Sequence, residues 1–189
     1  IQDFFRDHGT STVSVTAAAG FVGVLSLFNM AGRFVWSSTS DLIGRKPIYM
    51  VYLGGGIILY ALLALVGSSA TAVFVLLAGV ILSFYGGGFA TAPAYLRDLF
   101  GTYQVGAIHG RLLTAWSVAG ILGPIMVNAI ADSQKAAGKS GPELYTLSFS
   151  IMIGLLIVAL VCNELLKPVD AKWHEPSSER TGKVEESTR

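Results

Sequence analysis

Charge is scarce in this 189-residue chain: Asp, Glu, Lys and Arg make up 13% of it, against roughly 25% in ordinary soluble domains. Water is therefore not expected to be its main solvent. The net charge of +1 gives no concentrated basic face, which argues against a nucleic-acid partner. Cysteine is nearly absent. The single Cys162 excludes an internal disulfide and a cysteine-built metal site, and a thiol buried in an apolar segment is expected to be inert. Enzyme signatures are missing as well. The sequence has no paired carboxylates within its apolar segments, no metal-ligand spacing of His, Asp and Glu, no phosphate loop leading to Lys and Ser or Thr, and no nucleophile elbow. Neither enzymatic activity nor a metal or cofactor is expected. A signal peptide is not recognisable, and the chain starts at Ile1 without Met, so it reads as a fragment or a truncated product.

What is present is apolar length. Hydrophobic residues are 52% of the chain, and five stretches approach the ~20 residues that a helix needs to cross a ~30 Å hydrocarbon core. They run from Val13 to Trp36, Ile48 to Gly67, Ala72 to Pro93, Ala107 to Ile130 and Leu144 to Asn163. Only Arg33 and Arg111 among the charged residues fall inside them. Each is apolar around most of its circumference, as expected for helices surrounded by lipid or protein. The expected fold is an all-α membrane protein of about five transmembrane helices. Residues 1–12 form an outer loop, 13–166 the helical bundle and 167–189 a disordered cytoplasmic tail, too polar to fold. The expected separators are a Gly67–Thr71 turn, a loop at Arg97-Asp98 and a polar run from Asp132 to Glu143. With the first span running inward, eight Lys and Arg lie inside and three outside, which sets the orientation by the positive-inside rule and puts the carboxyl terminus in the cytoplasm.

Two groups of residues carry chemistry. In the turn Asp41-Leu42-Ile43-Gly44-Arg45-Lys46, the basic pair sits where inner phosphates and helix C-terminal carbonyls attract cations. Asp41 can pair with a basic residue of a neighbouring helix and latch one conformation; the plainer reading is a solvated turn. Arg33 is the second candidate. A cation at mid-depth costs ~2.5–3.5 kcal/mol on insertion scales and faces a cavity or a partner. Asn29, four residues earlier, shares its helix face and can orient an anion beside a guanidinium, whose planar fork suits a carboxylate. Three residues from the expected end of its span, Arg33 alternatively snorkels to the interface.

Tyr85 and Phe89 are one turn apart on the third span, where Gly86, Gly87 and Gly88 permit close helix approach. Gly106, Gly110, Gly120 and Gly123 are expected to pack spans together, with Pro124 adding a kink. His109 is expected at the inner interface, with a proton relay as the minority reading; His8 and His174 lie outside the membrane.

Several motifs in one order carry a resemblance. The turn above resembles the signature loop of the major facilitator superfamily, with Ser37 where that family often has Gly. The runs Ser26-Leu27-Phe28-Asn29-Met30-Ala31-Gly32-Arg33, Pro93-Ala94-Tyr95-Leu96-Arg97-Asp98-Leu99-Phe100-Gly101 and His109-Gly110-Arg111-Leu112-Leu113-Thr114-Ala115-Trp116 are similar to the oxalate/formate antiporter family, with related monocarboxylate transporters sharing parts. The resemblance covers about Ile1 to Leu166. It implies the last five spans of a twelve-span carrier, with the substrate near the midplane between two halves. It also implies that an arginine at position 33 and a lysine at position 116 grip the two carboxylates of oxalate, with aromatics at 85 and 89 lining the pocket. Here position 116 is Trp, which suits a monocarboxylate, or a dicarboxylate held at one end.

The expectation is thus a secondary transporter of small carboxylates working by alternating access. Arg33, Asn29, Trp116, Tyr85 and Phe89 are its binding residues, and Asp41, Gly44, Arg45 and Lys46 its inner gate. A coupled proton or counter-anion, the lipid bilayer of the cell membrane and an amino-terminal half complete its partners. Two alternatives stay open: a non-transporting membrane module or inactive truncation, and a facilitator of a neutral or cationic solute.

Overall fold

The computed structural model describes residues 4–7, 10–11 and 13–170. Five long helices follow one another: α1 (Val15–Ile43), α2 (Arg45–Val66), α3 (Thr71–Phe100), α4 (Val105–Ala136) and α5 (Glu143–Leu165). All five are long and apolar enough to cross a membrane. Before them, Arg6–Asp7 pairs antiparallel with Thr10–Ser11. The tail expected at 167–189 falls outside the described residues from 171 onward. Its first residues are anchored, since the Val169 amide donates to the Leu99 carbonyl at 2.9 Å.

Local chemistry sets the helix ends. The Ser14 hydroxyl caps α1 by accepting from the Ala17 amide at 3.1 Å, satisfying one of the free amides of a first turn. Gly44 ends α1 and starts α2 with φ of +95°, a conformation that favours glycine. Gly101 ends α3 in the same way, at φ of +78°. The helices reach further than apolar composition suggests. Arg97 and Asp98 belong to the last turns of α3, and Asp132 and Lys135 to α4. Backbone hydrogen bonding continues past the apolar runs into polar residues, which a helix accommodates on its exposed turns. Pro93 and Pro124 lie within continuous helices.

Helix α3 is the hub. It packs on α1 along its length, on α2, and at its edge on α4, while α5 covers α2. Two aromatic clusters fill the bundle. Toward one end Trp36, Tyr49, Tyr52, Phe84 and Tyr95 stack with centroids 4.8–5.9 Å apart. The Tyr95 hydroxyl donates to Asn163 Oδ1 at 3.0 Å and ties α3 to α5. At the other end Phe4, expected in a loop, is buried against Phe74, with centroids 4.8 Å apart. Cys162, expected to be buried, lies exposed on the outer face of α5.

Candidate functional site

Close backbone contact places the first half of the site. A Cβ at Gly32 would collide with the Ser83 main chain, and one at Gly86 with the Asn29 carbonyl. The Trp36 indole also donates to Ser83 Oγ at 3.2 Å. This seam sets Asn29 and Arg33 of α1 beside Tyr85 and Phe89 of α3. Arg33 Nε donates to Asn29 Oδ1 at 3.3 Å, the i, i+4 contact expected from their spacing. The guanidinium carbon stands 5.7 Å from the Phe89 ring centroid, within cation–π range.

The aromatic series continues into α4. Phe89 lies 5.6 Å from Trp116 between centroids, and the Trp116 indole donates to the Tyr85 hydroxyl at 2.8 Å. The five binding candidates thus form one connected series, Asn29, Arg33, Phe89, Trp116 and Tyr85, drawn from three helices. Among the described residues, no carboxylate pairs with Arg33.

The length of α1 sets the place of Arg33 along its helix. Helix α1 continues to Ile43, so ten residues, or about 15 Å of helix, separate Arg33 from its end (43 − 33 = 10). The helix midpoint is residue 29, and Arg33 lies about 6 Å beyond it. Its position is therefore central in the helix, where the shorter apolar run had put it near an end.

Two spaces adjoin the series. A recess of about 470 Å³ is lined by Ser26, Asn29, Met30 and Arg33 with Leu82. A cavity of about 400 Å³ lies among α2, α3, α4 and α5, with Tyr85, Phe89 and Trp116 in its wall. His109 also lines this cavity, and its Nδ1 is buried without a hydrogen-bond partner. Its cavity position was not foreseen. The available signal was its spacing, because His109, Leu112, Leu113 and Trp116 fall on one face of α4.

The gate candidates also meet. Asp41 closes the last turn of α1 and Arg45 opens α2, so the expected loop reduces to Gly44. Arg45 pairs with Asp41 at 2.6 Å, donates to the buried Ser40 hydroxyl at 3.0 Å, and lies 3.8 Å from Asp98 of α3. Lys46 donates to the Glu164 and Leu166 carbonyls at 2.8 and 3.2 Å, capping the C-terminal end of α5, where cations are favoured. The turn thereby connects α1, α2, α3 and α5. Gly106, Gly110, Gly120 and Gly123 instead have open space where a Cβ would sit, so they pack no helix among the described residues, where α4 contacts α3 and α5. Among the described residues no cluster of His, Cys, Asp or Glu is arranged to hold a metal.

Residues 4–188 match the Major Facilitator Superfamily. The chain is similar to an MFS-type transporter of Aspergillus terreus, 27% identical over 67% of this chain and 24% of the relative. It is also similar to an oxalate:formate antiporter of Oxalobacter formigenes, 29% identical over 59% of this chain and 27% of the relative. A further MFS-type transporter, from Metarhizium majus, is 28% identical over 66% and 21%. The chain spans about a quarter of the length of these curated relatives. No solved structure gives a significant match.

Proposed function

Because this chain belongs to the major facilitator superfamily, and as five apolar helices a multi-pass membrane protein, we propose that it forms most of one half of a carboxylate transporter working by alternating access. The observation that carries this reading is Arg33, a mid-helix cation without an acid partner among the described residues, set against an aromatic surface. An unpaired guanidinium is costly in hydrocarbon and is accounted for by an anion that visits it. The similarity to an oxalate:formate antiporter supports the same class. In this reading the protein is a carrier and not an enzyme. Arg33 holds the carboxylate through two parallel hydrogen bonds, and Asn29 fixes the guanidinium's rotation. Phe89, Trp116 and Tyr85 wall the substrate's carbon skeleton.

With Trp116 in place of a second cation, one carboxylate is neutralised per substrate. A monocarboxylate fits best, and a dicarboxylate binds by one end. An amino-terminal half supplies the opposite wall. Asp41, Gly44, Arg45 and Lys46 form the inner gate, with the carboxyl terminus in the cytoplasm and the protein in the cell membrane. A proton or counter-anion drives exchange.

Uptake of labelled monocarboxylates by the complete transporter tests the reading. Arg33→Ala is expected to lower kcat/KM at least about 100-fold, equivalent to ~2.8 kcal/mol, with Arg33→Lys retaining part of the activity. Transport that Arg33→Ala leaves unchanged overturns it.

A further inference from the structure

The recess beside Arg33 carries a polar group that the carboxylate reading does not use. Ser26 lies three residues before Asn29 and seven before Arg33, so the three share one face of α1, and all three line the recess of about 470 Å³. The rest of its wall is apolar, with Val22, Leu25 and Met30 of α1 and Leu82 of α3, and no acid lines it. Arg33 leans back along the helix, as long helical side chains do, and its Nε donates to Asn29 Oδ1 at 3.3 Å. That bond holds the guanidinium near the level of Asn29, about 4.5 Å of helix from Ser26.

The hydrogen bonds within this row fix what each member still offers. The Ser26 hydroxyl donates to the Val22 carbonyl at 2.9 Å, so its hydrogen is committed and its oxygen remains as an acceptor. Asn29 Oδ1 is taken by Arg33, which leaves Nδ2 as a donor. Among the described residues, neither the Asn29 nitrogen nor the Ser26 lone pairs have a partner for these remaining roles. Along the row a ligand therefore meets a cation, then a donor, then an acceptor. A carboxylate satisfies the first. The group beside it must accept from Asn29 and donate to Ser26, and a hydroxyl does both. A keto oxygen or a second ionised carboxylate only accepts, so it would set its lone pairs against those of Ser26 and leave that oxygen unsatisfied.

Resting on the carboxylate reading above, we propose that Ser26 contacts the substrate and selects hydroxycarboxylates, acids with a hydroxyl on the carbon next to the carboxylate. Arg33 holds the carboxylate, Asn29 Nδ2 donates to the hydroxyl oxygen, and the hydroxyl donates to Ser26 Oγ. The apolar remainder of the wall takes the alkyl chain.

Uptake of butyrate, 2-hydroxybutyrate and 2-oxobutyrate by the complete transporter tests this, since the three share one carbon chain and differ only at C2. The expected order of kcat/KM is hydroxy, oxo, unsubstituted, with the hydroxy acid ahead of the oxo acid by about threefold or more. Ser26→Ala removes the acceptor and is expected to bring the ratio of hydroxy to oxo acid down to about one, while the oxo acid stays ahead of butyrate through Asn29. Ser26→Thr keeps a hydroxyl and is expected to preserve part of the preference. An oxo acid carried as well as the hydroxy acid, or better, by the unaltered transporter would overturn the proposal. So would a ratio that Ser26→Ala leaves unchanged, whether or not uptake as a whole falls. In either case continued dependence of all three acids on Arg33 leaves the carboxylate reading standing. Failure of that reading shows separately, as uptake that Arg33→Ala does not change.

Discussion

Helices α1 and α4 both bring residues to the proposed anion site, yet they are attached to α3 in opposite ways. Helix α1 lies backbone to backbone on α3: Gly32 fits against the Ser83 main chain, Gly86 against the Asn29 carbonyl, and a Cβ at Gly79 would stand 2.9 Å from the Phe28 ring. Helix α4 reaches α3 at the site through side chains, an indole on a tyrosine hydroxyl and on a phenyl ring, while four of its glycines face open space. The difference teaches where the site is fixed and where it can adjust. Arg33, Asn29, Phe89 and Tyr85 are positioned by main-chain contact that cannot slide without collision, whereas Trp116 rides on a helix held by a few side chains. A carrier that works by alternating access needs both, an anion holder of constant geometry and a wall that yields.

The largest expected effect breaks the rigid half. Gly86→Leu forces a side chain into the Asn29 carbonyl, where backbone must move, and overpacking of this kind costs about 1–3 kcal/mol or more. In detergent, this chain is expected to lose thermal stability on Gly86→Leu and to keep it on Gly110→Leu, whose side chain enters open space. Equal sensitivity at the two glycines, read by circular dichroism on heating, would erase the contrast.

Next in size is a change on the adjustable side. Trp116→Lys supplies a second cation opposite Arg33 at the cost of placing another charge at depth. The complete transporter is expected to shift toward oxalate, raising the ratio of oxalate to acetate uptake by about tenfold or more. A ratio that stays put, with Arg33 still essential, would show that α4 does not reach the bound anion.

Particular residues show what the sequence could and could not reveal. The five helices were readable because a run of about 20 apolar residues has few other uses. Their ends were not, because amphipathic turns continue a helix past the apolar run: Arg97, Asp98 and Lys135 are helical, and α1 continues seven residues beyond Trp36 to Ile43. Asn29 and Arg33 were readable from their spacing alone. Joining them to Phe89, Trp116 and Tyr85 required the resemblance, since positions far apart in sequence carry no signal of contact. That His109 lines a cavity was not readable because α4 is apolar all round and shows no single face, and a cavity among four helices exists only once they are packed.

A smaller effect is expected where α4 is tethered to the site. Tyr85→Phe removes the acceptor of the Trp116 indole and leaves the ring in place. A hydrogen bond of this kind contributes about 0.5–1.5 kcal/mol, so kcat/KM is expected to fall about two- to tenfold, with Arg33 dependence retained. Intrinsic fluorescence of Trp116, isolated by replacing Trp36 and Trp173 with Phe, should shift as its N–H loses this partner. An unchanged spectrum would place the indole elsewhere.

The smallest effect is expected at the Asp41–Lys46 turn, where the same distinction between fixed and adjustable parts reappears among charges. Arg45 is 17% exposed in its side chain and has Ser40 and Asp98 besides Asp41, whereas Asp41 is 67% exposed and pairs with Arg45 across Gly44. An exposed ion pair contributes about 0–1 kcal/mol and weakens with salt. Asp41→Asn is therefore expected to change uptake by less than about threefold, and less still in high salt. Arg45→Ala removes the group that joins α1, α2 and α3, leaving the buried Ser40 hydroxyl without its Arg45 donor and Asp98 with only Arg97 as ion-pair partner, so it should cost more than Asp41→Asn under every condition. If Asp41→Asn proves the more damaging of the two, the carboxylate must be making a contact in another conformation of the transport cycle, and the inner turn would then belong with the moving parts and not with the fixed ones.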